Sequence, residues 1–134
     1  MPRSSSPNAA VSSAREQWIQ SVAAVNAADQ KLAALLGFTG IIISLIFGLH
    51  PPVASRLALW VARMSFIVAV LLAVYGLYFG QPSFGPDPTV RPTVLAWRDA
   101  WAVNLAVAET KVTVFRHASF TLLIGFAALI LAIG

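Results

Sequence analysis

Apolar residues are arranged along this chain in two ways: stripes spaced three and four apart in two polar-bearing stretches, and three nearly charge-free blocks. Trp18, Val22, Val25, Asp29, Leu32 and Leu36 step alternately by four and three, which predicts a helix over residues 12–31 leading into the first block. Ser12 or Ser13 would cap it, and Glu16 stands three residues after Ser13, as in a capping box. The block "LAALLGFTGIIISLIFGL" (32–49) carries no charge and is long enough to cross a bilayer as a helix. His50-Pro51-Pro52 ends it, because paired prolines cannot continue a helix. The second block is "LALWVARMSFIVAVLLAVYGLYFG" (57–80), with Arg63 near enough to its start for the guanidinium to reach the interface. Trp60, Tyr75 and Tyr78 stand near its two ends, as interfacial aromatics do. "GQPSFGPDPTVRP" is rich in Pro and Gly and reads as a loop. From Thr93, the positions Val94, Trp97, Trp101, Leu105, Ala108, Val112 and Phe115 predict an amphipathic helix over 93–117. It passes without a breaker into "ASFTLLIGFAALILAIG" (118–134), a third span at the short limit of length.

Composition agrees with a lipid solvent. Of the 134 residues 58% are hydrophobic and 10% charged, with a mean hydropathy of +0.78; soluble domains carry about 25% charge. Residues 1–11 read as a disordered tail without the apolar core of a signal peptide, and 12–134 as a single domain. The net charge of +4 is scattered rather than blocked, which speaks for topology-setting charge and against a nucleic acid polymer as partner. Arg3, Arg15, Lys31, Arg91, Arg98, Lys111 and Arg116 flank one side of the three spans, and Arg56 and Arg63 the other. The positive-inside rule then puts the N-terminus in the cytoplasm. The expected fold is an all-α membrane protein with three transmembrane helices, the first and third extended into the cytoplasm as a paired amphipathic stem.

Asp29 interrupts its stripe one turn before the lipid, where an unpaired carboxylate is costly. Lys111, on the face shared by Trp101, Asn104, Ala108 and Phe115, is its best-placed partner, with Arg116 next. Glu109 and Lys31 are placed to form a second, more exposed pair, and Asn26 and Asn104 to bond across the helices. Two accounts of Asp29 and Lys111 stay open: they set the register of a small bundle, or they form a switch that a charged ligand can open. Gly76 and Gly80 have the G-x-x-x-G spacing that lets helices approach, and Gly37 and Gly40 add a small face; both suggest a homo-oligomer. The absence of Cys excludes thiolate chemistry, and His50 and His117 lack further ligands at helical spacing, so neither a metal site nor an enzyme is expected.

The stretch "VNAADQKLAALLGFTGIIISL" resembles the opening of the Pycsar effector transmembrane domain, in which a helix ends in an AD-x-K motif directly before the first span. "LAVAETKVTVFRHASFTLLIGFAALI" is similar to that family's closing segment, with its Lys, its following basic residue and its final span. The resemblance covers residues 16–134, with a short connection between the first two spans and no separate ligand domain. It implies a bacterial anti-phage effector of the inner membrane that responds to cyclic UMP or cyclic CMP and impairs membrane integrity. It matches Asp29, Lys31, Lys111 and Arg116 to the family's positions. No cofactor is expected beyond that possible ligand.

A cyclic mononucleotide needs a cation for its phosphate and a flat face for its base. Arg98 with Trp97 and Trp101 offers both on one helix, although both tryptophans also fit as core anchors. Two readings from other classes remain: a structural or accessory subunit of a membrane complex, and a holin-like pore former that needs no messenger.

Overall fold

The computed structural model describes residues 6–50, 55–80, 82, 85, 86 and 93–134. The expected proline stop at Pro51 and Pro52, residues 1–5 of the expected tail, and much of the 79–92 connection, Arg91 included, lie outside them. Three helices make up the described fold: α1 (Pro7–Phe47), α2 (Arg56–Tyr78) and α3 (Val94–Ile133). Each is long and apolar enough to cross a membrane.

α1 begins five residues before the expected start at residue 12. Ser6 is the cap, its hydroxyl accepting from the Ala9 amide at 3.3 Å, and Pro7 occupies the first turn. A missing N–H costs nothing there, and the ring sets a helical φ. Residues 7–11, read from sequence as part of a disordered tail, are therefore helical. α3 is capped by Thr93, whose hydroxyl accepts from the Ala96 amide at 3.2 Å. α2 ends at Tyr78, so Gly80, with φ +62°, stands past its end in a backbone conformation that favours glycine.

The contacts fix the topology. Trp18 meets Trp97, Ser21 meets Asn104, Asp29 meets Lys111 and Phe38 meets Phe126, so α1 and α3 run parallel. Gly76 approaches Leu32 and Val114, while Arg63 reaches Ile46, so α2 runs antiparallel to both. Beyond the end of α2, residues 7–28 of α1 and 94–110 of α3 continue by roughly 33 Å and 25 Å, taking about 1.5 Å per residue.

The seam repeats every 3.5 residues. On α1 the buried positions are Ala14, Ser21, Val25, Ala28, Leu32, Leu35, Thr39 and Ile46; on α2 they are Leu59, Ala62, Phe66, Ala69, Ala73 and Gly76. This is knobs-into-holes spacing. Small residues dominate it, letting the backbones close up. Phe66 fills the space left by Gly125, where an added Cβ would come 3.1 Å from its ring, and meets Phe126 edge-on at 5.2 Å. Large apolar side chains face outward instead, among them Ile41 (65% exposed), Leu71 (62%) and Phe120 (64%). That outward apolar surface fits helices solvated by lipid.

Both stripes read from sequence are displaced by one residue at alternate positions. On α1, Ser21, Ala28 and Leu35 are buried where Val22, Asp29 and Leu36 were expected, and these three are half-buried. On α3, Ala100, Asn104 and Lys111 are buried; Leu105 and Val112 are exposed, and Trp101 is half-buried. At Ser21, Ala28, Ala100 and Asn104 the shorter of two neighbouring side chains takes the seam, which close parallel packing favours; Leu35 and Lys111 follow in the same register.

Candidate functional site

The rotation of α3 puts Lys111 in the seam and the rotation of α1 puts Asp29 beside it. Lys111 is 1% exposed and Asp29 34%. The Lys111 ammonium donates to Asp29 Oδ1 at 2.5 Å. It also approaches the carbonyl of Leu77 at 3.5 Å, in the last turn of α2. That carbonyl is among the four that a helix end leaves without an intrahelical partner, and the negative end of the α2 dipole favours a cation there. One ammonium therefore joins all three helices. It is the only ion pair among the described residues.

Glycines bracket the junction. On the α2 side, a Cβ at Gly76 would stand 2.8 Å from Leu32 Cδ1 and 2.9 Å from Val114 Cγ1; past the helix end, Gly80 packs on Val107, where a Cβ would stand 3.1 Å from Cγ2. Both glycines thus serve packing within this chain. Gly37 and Gly40 are exposed, with nothing within 4 Å of an added Cβ.

Farther along the pair, Asn104 is fully buried and donates to Ser21 Oγ at 3.1 Å, while Ser21 donates to the Trp18 carbonyl at 2.6 Å. Asn26 is exposed, so Ser21 and not Asn26 faces Asn104. Trp18 and Trp97 pack with ring centroids 5.2 Å apart, and Gly85 of the connection, at φ +87°, lies against both. The Trp97 indole N–H is buried without an acceptor. Trp97 is thus a packing residue, and its ring is engaged by Trp18 rather than free to stack on a base. Arg98, Lys31, Arg116 and Glu109 are exposed, and Glu109 and Lys31 form no ion pair with each other. Among the described residues no three His, Asp or Glu side chains group as metal ligands.

At the other end of the bundle a second cation closes a helix. Arg63 of α2 donates to the carbonyls of Ile46 (3.3 Å) and Leu49 (3.2 Å) at the end of α1, and its guanidinium lies 5.0 Å from the Phe47 ring centre. Sequence reasoning sent Arg63 toward the interface but did not identify the α1 terminus as its partner. It likewise missed Leu77 as the third party to Asp29 and Lys111. For Arg63 a signal was available: it is a lone cation in an apolar block, level with the last turn of a neighbouring helix. Lys111 lies outside the blocks, and the Leu77 carbonyl has no side-chain signature. Comparison with protein-family models, with curated proteins and with solved structures finds no match to this chain.

Proposed function

We propose that this chain is a multi-pass protein of the bacterial inner membrane, with a cytoplasmic N-terminus, that senses a cyclic pyrimidine nucleotide and impairs the membrane in response. In this reading residues 7–28 of α1 and 94–110 of α3 form a paired cytoplasmic stem. The observation that carries the reading is the buried Lys111 ammonium, bonded to Asp29 and set against the end of α2. The resemblance of residues 16–134 to the Pycsar effector transmembrane domain supplies the messenger class, cUMP or cCMP. The phosphate of such a messenger carries one negative charge and competes with the Asp29 carboxylate for Lys111, approaching from the side on which Asp29 is open to solvent. Lys31, Arg116 and Arg98 are exposed cations that draw it in. Displacing Asp29 unties α1 from the α2–α3 pair, and the spans then reassemble with other copies. Three spans cannot enclose a channel, and the outward Gly37 and Gly40 offer a flat face for a second protomer.

Expression in cells supplied with cUMP or cCMP, scored by entry of an impermeant dye, tests the gate. Leakage that depends on one nucleotide supports it; leakage indifferent to both removes it. Asp29→Ala and Lys111→Ala should each abolish the response or make leakage constitutive. A second reading, an accessory subunit of a membrane complex, draws on Ile19, Leu95 and Val103, which stay exposed past the end of α2. A stable hetero-complex on purification, together with no nucleotide response, would select it.

A further inference from the structure

Two depressions meet at the end of the bundle away from Lys111. The first is a cleft of about 470 Å³ at the end of α1 and the start of α2, lined by Phe47, His50, Arg56, Leu59, Trp60 and Arg63 together with Leu49. No carboxylate lines it, and no Asp or Glu occurs in the sequence between Asp29 and Asp87. Among the described residues neither guanidinium is ion-paired to a carboxylate. Arg63 spends one amino group on the α1 carbonyls, while its Nε is buried with no hydrogen-bond partner. Buried donors of this kind ordinarily have an acceptor. The His50 ring is held beside the cleft by Nδ1 donating to the Gly48 carbonyl at 3.0 Å.

The second depression is an apolar groove of about 350 Å³, lined by Leu57, Trp60, Val61, Met64, Val68 and Thr121 together with Ser65. It follows the outward side of α2 for roughly 16 Å, at about 1.5 Å per residue, and Trp60 lines both depressions. A cationic cleft and an apolar groove that share an exposed tryptophan match an amphiphile in charge and in order along the helix. We propose that the two form a binding site for a membrane lipid with an anionic headgroup. Its phosphodiester sits on Arg56 and Arg63, an acyl chain lies in the groove, and Trp60 packs at the join. Arginine suits this role because the planar fork of the exposed Arg56 can bond phosphate oxygens in pairs, with Arg63 adding a second positive charge behind it. The absence of a carboxylate also sets selectivity. A choline headgroup brings its own cation, which two guanidinium groups repel and for which the cleft offers no carboxylate, only the ring faces of Trp60 and Phe47.

The full-length chain in detergent, given equal amounts of phosphatidylglycerol and phosphatidylcholine and measured by native mass spectrometry, tests the site. Phosphatidylglycerol should be retained several-fold over phosphatidylcholine. Arg56 is exposed, so Arg56→Gln should keep its circular dichroism spectrum while lowering retention about tenfold, the size of one charge-assisted hydrogen bond. Trp60→Ala should also lower it. Arg15→Gln, an equal loss of charge at the other end of α1, should leave it unchanged. Equal retention of the two lipids, or an equal loss in Arg15→Gln, would overturn the proposal. Competition by glycerol 3-phosphate as effective as by the intact lipid would also overturn it, since free phosphate chemistry without an acyl chain would then suffice.

Discussion

Removing Asp29 should harm this protein more than removing Lys111, although each change breaks the same bond. Asp29→Ala leaves an ammonium that is 1% exposed, with the Leu77 carbonyl at 3.5 Å as its remaining acceptor. Breaking a buried pair from one side costs about 3–5 kcal/mol. Asp29 is itself 34% exposed, so water can enter where its carboxylate was, and the lower figure of about 3 kcal/mol is expected. Lys111→Met keeps the apolar stem and most of the volume while removing the charge. What it strands is a carboxylate already in touch with water, for which about 1 kcal/mol is expected. The double variant strands neither group and should lose no more than Lys111→Met, so the cycle should show a coupling of at least about 3 kcal/mol. Unfolding in mixed micelles by increasing dodecyl sulfate, followed by circular dichroism and by the fluorescence of the four tryptophans, measures all four proteins. Two single losses of equal size that add in the double variant would refute the reasoning.

Three further outcomes follow from the packing. Gly76→Ala pushes a methyl against Leu32, which can rotate, and Val114, which is stiff at χ1, so about 1–3 kcal/mol should be lost in the same titration. Gly40→Ala meets nothing within 4 Å and should stay within about 0.5 kcal/mol of the parent; equal losses for these two glycines would contradict the packing described. Arg63→Met strips the Ile46 and Leu49 carbonyls of their donor. Hydrogen exchange should then quicken in the last turn of α1 alone, and an acceleration spread along the whole helix would count against a capping role.

The three long apolar helices were legible because each block is long, apolar and nearly free of charge, as a helix able to cross a membrane must be. The Asp29–Lys111 partnership was legible because Asp29 interrupts an apolar stripe about one turn before its span, and Lys111, about two turns before the third span, is the best-placed cation on the face shared by Trp101, Asn104, Ala108 and Phe115. The rotation of the helices was not. A stripe drawn through Val22, Leu36, Leu105 and Val112 follows bulk, as it would in a water-soluble bundle whose core must hide apolar area. Here closeness of approach decides, in the extended ends of α1 and α3 as well as in the apolar blocks. Ser21, Ala28 and Ala100 therefore take the seam. That single shift explains why Lys111 is the buried member of the pair and Asp29 the half-open one. It also explains why Ser21 meets Asn104 while Asn26 faces outward. The involvement of Leu77 was invisible for another reason: a backbone carbonyl at a helix end has no side-chain signature.

The central claim is that opposite charges hold α1 against α3 where α2 ends, and disulfide formation reads it directly. The chain has no cysteine of its own, so Ser21→Cys with Asn104→Cys, which replaces a direct side-chain contact, gives a clean background. Oxidised in native membranes, this pair should join quickly when Asp29 and Lys111 are intact and at least several-fold more slowly in an Asp29→Ala background. A joining rate that does not change when Asp29 is removed would contradict the account.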